Sequence, residues 1–289
     1  MSGLQKIYND VSSGAGLFFK SLLSLVKLAL RARKLKPLPQ PVKERCAILG
    51  NGPSLTESLK GGIEFVKSCD IVCVNNSILS EYFSTLKPSD YVFLDEYYFI
   101  FDNVKHARED IKTTIHSFTA VDWPMNVFVP SYGKNSYFVT TVLNSNKFIT
   151  VCYFNQVIVD GYEWFKFPIY KSGLGMPQCQ SVLGACIYLS INRGYKETYI
   201  FGADHSWHET LALSDANGIM LTNSHFYDKT AAKSLLYPQY GGIANFFFSL
   251  YKTFKGYDVL DDYARYRNVK VYNASHKSYI DAFERKKVF

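Results

Sequence analysis

The chain has no lysine where a phosphate-cradling P-loop needs one and no complete G-x-G-x-x-G fingerprint, so no motif supports ATPase chemistry or an ordinary dinucleotide site. It has no C-x-x-C pair. The six cysteines, Cys46, Cys69, Cys73, Cys152, Cys179 and Cys186, fall mostly inside apolar runs, which reads as reduced, structural thiols in a cytosolic compartment. No internal repeat or low-complexity tract is present. Charge of one sign is also scarce beyond the first forty residues. Of the formal net charge of +7, +6 sits in residues 1–40, where seven lysines and arginines face Asp10 alone. The body is nearly neutral, and a nucleic-acid partner is not expected.

The longest apolar stretch, "GLFFKSLLSLVKLALRARKLKPLPQP", is interrupted by Lys20 and Lys27, so it does not read as a span, and it ends in basic residues and prolines where a signal peptide needs small ones. At helical spacing Lys20, Lys27, Arg31 and Lys34 share one side, and Phe18, Phe19, Leu22, Leu23, Leu25, Val26, Ala29 and Leu30 take the other. This is the pattern of an interfacial helix, which implies a membrane surface as partner of residues 15–36 and a peripheral place on the cytoplasmic side of the inner membrane. The competing reading packs the helix on the protein's own core or on a second copy in a homo-oligomer. Three prolines then make a short stiff linker.

With 289 residues, 47% of them hydrophobic, one main domain is expected: a basic arm over 1–40 and the main domain over 41–289. Apolar strand patterns at 46–49, 70–74, 91–94, 126–130, 148–154, 197–201 and 269–272 alternate with helical patterns at 56–67 and 177–192. Further helices are expected at 241–254, 259–267 and 279–286. The fold class is therefore α/β, a Rossmann-like, doubly wound and mostly parallel sheet, with a lid inserted at about 205–238.

Ligands in such sheets bind beyond the carboxyl ends of the strands, and four of those ends are polar: Asn51-Gly52-Pro53-Ser54, Asn75-Asn76, Asp95-Glu96 and Asp204-His205. Gly50 and Gly52 suit close backbone approach to a phosphate, or simply a tight turn. Asn75 and Asn76 suit a ribose or base, or an Asx-turn. Of Asp95 and Glu96, alternation sends at most one into a given pocket. Gln178, Gln180 and Ser181 open a helix and would meet a phosphate or base there, or serve as caps. His205, His208, Glu209 and His225 resemble metal ligands, but a lone histidine acting as general base fits better, with His225 favoured over His205.

"AILGNGPSL", "IVCVNNS", "RGYKETYIFGAD" and "NSHF" together resemble the bacterial sialyltransferases of glycosyltransferase family 42. They are also similar to the wider group of hydroxymethylpterin diphosphokinase-like and flagellar glycosylation domains. The resemblance spans roughly residues 44–275 in separated blocks. It implies that Asn51, Gly52, Pro53, Ser54 and Asn75 contact the nucleotide of a CMP-sugar, with Ser181 near its cytidine or phosphate and Asp204 beside it. His225 inherits the role of general base. The family's phosphate-binding tyrosines have Tyr227, Tyr237 or Tyr240 as substitutes. The implied reaction moves a nonulosonic acid from a CMP-sugar co-substrate, without metal or other cofactor, to a glycan or glycolipid acceptor. Two alternatives are a Mg²⁺-dependent transfer from ATP, with Asp95 and Asp204 as ligands, and a non-catalytic nucleotide- or glycan-binding protein.

Overall fold

The computed structural model describes residues 3–222, 234–236 and 240–288. In chain order its elements are α1 (Gly3–Arg31), β1 (Arg45–Leu49), α2 (Leu55–Lys67), β2 (Asp70–Val74), α3 (Tyr82–Leu86), β3 (Asp90–Val92), α4 (Glu109–Phe118), β4 (Met125–Pro130) and β5 (Ile149–Phe154). These are followed by α5 (Glu163–Lys171), α6 (Val182–Arg193), β6 (Glu197–Phe201), β7 (Ala212–Leu213), β8 (Ile219–Thr222), β9 (Ser234–Leu236), α7 (Ile243–Tyr266), β10 (Lys270–Asn273) and β11 (Glu284–Arg285).

Eight strands form one sheet in the order β11-β10-β6-β1-β2-β3-β4-β5, and every neighbouring pair is parallel. Such strands are covered on both faces, which is why β1 and β2 read as continuous apolar runs. Cys46 and Ile48 turn to a core shared with α6 and α7, whereas Ala47 and Leu49 turn to a second core shared with α2 and α4. The chain winds from β1 out to β5 and then returns at β6 on the other side of β1. The strand order therefore reverses at β1, and a crevice opens beyond the carboxyl ends there.

Several local expectations are corrected. The two helices expected at 241–254 and 259–267 are one, α7, because Gly256 is not a break. It lets α7 approach the chain: a Cβ there would lie 2.3 Å from the Gln178 carbonyl oxygen. The helix expected from 177 starts five residues later, after an extended Ser181. Residues 279–286 form no helix and end instead in β11 at the sheet edge. The insertion after β6 carries a small antiparallel sheet, β7-β8-β9, on a cluster of Ile219, Leu221 and Phe246.

The arm is held by an unexpected face. Among the arm residues whose burial is described Ser21 and Ser24 are the buried ones, and Ser24 Oγ both donates to the Asp160 carbonyl and accepts from the Asp160 N–H at 2.9 Å. Lys20 pairs with the Asp160 carboxylate at 2.9 Å, and Tyr162 Oη donates to the Gly14 carbonyl at 2.8 Å. Burial pushes the Asp160 carboxyl up, but Lys20 and the Gly161 N–H, with Lys166 nearby, together outweigh it and hold the group below its usual range. The opposite arc, Phe18, Phe19, Leu22, Leu23, Leu25, Val26 and Leu30, is 49–70% exposed. By length and composition alone, Ser13–Arg31 is long and apolar enough to cross a membrane. Its polar line is nevertheless committed to the body, so the apolar arc faces outward and does not pack on the protein's own core.

The candidate nucleotide cleft

A cleft of about 1010 Å³ lies where the strand order predicts, walled by the turns after β1, β2, β3 and β6 and by the start of α6. Asn51 to Ser54, Asn75, Asp95, Glu96, Gln180, Ser181, Asp204 and His205 all border it. Sharing a wall does not make their side chains equally available. Their hydrogen bonds separate those that build the cleft from those that face it.

The glycine turn is shaped by the fold itself. Gly50 N–H donates to the Phe201 carbonyl at 2.8 Å and Gly52 N–H to the Gly202 carbonyl at 2.9 Å. A Cβ on Gly50 would lie 2.5 Å from the Gly202 oxygen, and one on Gly52 would lie 2.0 Å from Asp204 Oδ2. These glycines let the ends of β1 and β6 touch, and their N–H groups are not available to a phosphate. The N-terminus of α2 is also occupied. Asp204 accepts the Ser54 hydroxyl at 2.8 Å and the Ser54 N–H at 3.2 Å, so a carboxylate of the chain stands where an anion would bind. Burial pushes the Asp204 carboxyl above its usual value, against the pull of Ser54. Asn51 spans the ends of β1 and β2 through Ser77 Oγ, at 2.5 Å, and the Val74 carbonyl, at 3.4 Å. Pro53 is exposed at the rim.

Asn75 and Asn76 divide sharply. Asn76 Oδ1 accepts from Tyr98 Oη and, at 2.8 Å, from Thr114 Oγ1, while its Nδ2 donates to Asp110 at 3.2 Å, so it serves the fold. Asn75 borders the cleft with its backbone in the left-handed region at φ 47°, and its buried Oδ1 has no partner among the described residues. A buried acceptor left unsatisfied costs about 1–3 kcal/mol, which a ligand's donor would recover.

The N-terminus of α6 is open, in contrast to that of α2. Ser181 holds the N-cap position, yet its hydroxyl turns to Tyr257 Oη at 2.8 Å and makes no cap. The N–H groups of Val182 and Leu183 have no acceptor among the described residues. Two bare N–H groups at the positive end of a twelve-residue helix therefore border the cleft beside Gln180. Tyr257 Oη also meets His205 Nε2 at 2.7 Å, giving a buried chain His205–Tyr257–Ser181. Burial holds the His205 imidazole down to about 3, so it is neutral across the physiological range. Tyr257 was hidden from the sequence reading by the supposed break between two helices; the glycine before it was the available signal.

The suspected metal ligands diverge. His205 faces Tyr257, His208 packs edge-on against the Tyr279 ring at 4.4 Å, and Glu209 binds Lys277 and the Tyr279 hydroxyl, each at 2.6 Å. Among the described residues no three His, Cys, Asp or Glu side chains are grouped for a metal. Asp95 and Glu96 both border the cleft, contrary to the alternation argument, because β3 ends at Val92 and a 3₁₀ turn starts at Glu96, so neither residue lies in a strand. Among the described residues Lys277 is the cleft's one lysine or arginine, and Glu209 neutralises it. Tyr240 packs on Phe246 in the small cluster under β8. His225, Tyr227 and Tyr237 lie outside the described residues.

No family model and no curated protein matches the chain. Among solved structures it is similar to the MAf glycosyltransferase from Magnetospirillum magneticum AMB-1, at 12% identity and a TM-score of 0.49, covering 89% of this chain and 35% of that one. The chain thus spans about a third of that protein's length.

Proposed function

We propose that the chain is a glycosyltransferase that moves a nonulosonic acid, of the sialic or Kdo type, from a CMP-activated donor to an acceptor hydroxyl on a cell-surface or lipid-linked glycan. The observation that carries this reading is the pairing, in one cleft, of an open α6 N-terminus with an Asn75 Oδ1 that has no partner among the described residues. Two bare N–H groups match a single phosphate. An orphan acceptor matches a donor on the nucleoside, and the exocyclic amine of cytosine is one. Among the described residues the cleft holds one lysine, Lys277, which is already paired with Glu209, and that suits one phosphate better than three.

In the reaction the acceptor oxygen forms a bond to the anomeric carbon as the bond from that carbon to the phosphate oxygen breaks. The electron pair of the broken bond leaves on CMP, and the acceptor proton passes to a base. Helix N–H groups aimed at the departing phosphate stabilise its charge where it develops, so this reading calls for no metal. His205 is a poor base in its buried place and positions Tyr257 and Ser181. The base of the proposal is His225, as the family resemblance implies.

The test is a calorimetric screen of the purified chain against CMP, CDP, UDP, GDP and ATP, each with and without Mg²⁺. Metal-independent binding of CMP supports the reading. Binding of ATP with Mg²⁺ alone overturns it in favour of phosphoryl transfer, for which Asp95 and Glu96, side by side at the cleft, would be the carboxylates to examine.

A further inference from the structure

A second groove, of about 1470 Å³, runs between residues 30–39 and the edge strand β5 and shares Leu94, Glu96 and Gln156 with the nucleotide cleft. Five cations border it: Arg31, Arg33, Lys34 and Lys36 on one wall and Lys134 on the other. Against them stands one carboxylate, Glu96, and none of the five has an ion-pair partner among the described residues. The wall carrying four of them is fixed in place. Buried Asn155 accepts from the Arg33 N–H at 2.9 Å and donates to the Arg33 carbonyl at 2.8 Å. At the far end, the Pro39 carbonyl accepts from Arg193 Nε at 2.9 Å, and Arg193 is itself locked to buried Asp90 at 2.8 Å. A chain pinned at both ends holds its cations over the groove.

The groove begins where the apolar arc of α1 ends. Leu30, 70% exposed, belongs to both. A ligand that places an anion among the cations and a hydrocarbon tail along α1 would satisfy both surfaces at once. Through Leu94, Glu96 and Gln156 its far end would reach the cleft.

We infer that this groove binds the acceptor, and that the acceptor is a membrane lipid with an anionic head group, its tail held along the exposed arc of α1. The inference rests on the transferase reading and adds the acceptor class to it. It also gives the arm a task beyond adsorption, because the groove orients one lipid toward the cleft.

The experiment uses the full chain, with dihexanoyl phosphatidic acid as a monomeric probe and inorganic phosphate as its tail-less control, by calorimetry. The short lipid is expected to bind at least about tenfold more tightly than phosphate. Lys134→Gln, on the wall away from α1, is expected to weaken it about fivefold, the worth of one charge near an anionic head group. Leu30→Gln is expected to weaken the lipid and leave phosphate unchanged. The lipid and CMP should bind together. Equal binding of phosphate and lipid makes the groove a free-anion site and overturns the proposal, as do indifference to Lys134→Gln and mutual exclusion with CMP. CMP is titrated separately: if it fails while the lipid binds as expected, the transferase reading falls and the groove stands as a lipid site. If CMP binds and the lipid does not, only the groove proposal falls.

Discussion

Ser54 and Asp204, 150 residues apart in the chain, share a 2.8 Å hydrogen bond that closes the end of β6 over the start of α2. Burial raises the Asp204 carboxyl above 3.8, so the folded state binds its proton more readily than the unfolded state does. Through the interval just above 3.8, stability from this group therefore falls as pH rises, and it stays lost above the folded value. Asp204→Asn is expected to remove that contribution. Thermal denaturation across pH 4 to 7 should show the difference, wild type minus variant, falling with pH; a difference that rises would contradict the assignment.

Gly52→Ala tests whether the glycine turn serves the fold. The added Cβ would meet Asp204 Oδ2 at 2.0 Å and the Gly202 oxygen at 2.6 Å. Neither the backbone nor the hydrogen-bonded carboxylate moves cheaply, so urea denaturation should show a loss of about 1–3 kcal/mol, the usual range for overpacking. A variant as stable as wild type would return the turn to the role of a ligand cradle.

The sheet was legible because parallel strands covered on both faces must be continuously apolar, and the runs ending at Leu49, Val74 and Phe201 are unambiguous. The location of the cleft followed from the polar residues after those runs. Which of them face a ligand did not follow, because that depends on partners far away in sequence. Asn75 and Asn76 are identical in type and adjacent, and what tells them apart lies far off in sequence: α4 brings Thr114, and the turn after β3 brings Tyr98, to Asn76. The glycine turn misled for a similar reason: Gly52 looks like a phosphate loop until Gly202 and Asp204 are seen against it. A helix start near Ser181 facing a phosphate was legible; that its hydroxyl turns to Tyr257 was not, because Tyr257 sits on α7, a helix that local composition divides into two.

His205 and Tyr257 give a prediction of opposite sign to that for Asp204. With its imidazole held down to about 3 by burial, the folded state binds fewer protons than the unfolded state between there and 6.5. Stability from this group is complete above 6.5 and is lost as pH falls through that window. His205→Gln should flatten the acid limb of a stability profile. Tyr257→Phe leaves His205 Nε2 and Ser181 Oγ without their shared hydroxyl and should cost about 1–3 kcal/mol. His225→Ala, by contrast, should lower turnover by about 100-fold with CMP binding intact, as expected for loss of a general base. Turnover near wild type would exclude His225 from that role.

Asn75 and Asn76 allow the sharpest separation of site from scaffold. Asn75→Gly removes the unpartnered carbonyl and places glycine at φ 47°, a conformation glycine adopts without strain. Its stability should be within about 0.5 kcal/mol of wild type or better, while CMP affinity falls about tenfold. Asn76→Ala removes the amide acceptor of the Tyr98 and Thr114 hydroxyls and the donor to Asp110, which keeps Arg108, and should cost about 2–3 kcal/mol. Denaturation and CMP titration of both variants decide the matter together. If Asn75→Gly binds CMP normally, the orphan carbonyl is not a nucleotide contact. If both variants lose stability alike, the division between a residue that faces the cleft and one that builds it is wrong, and with it the placement of the nucleoside beside β2.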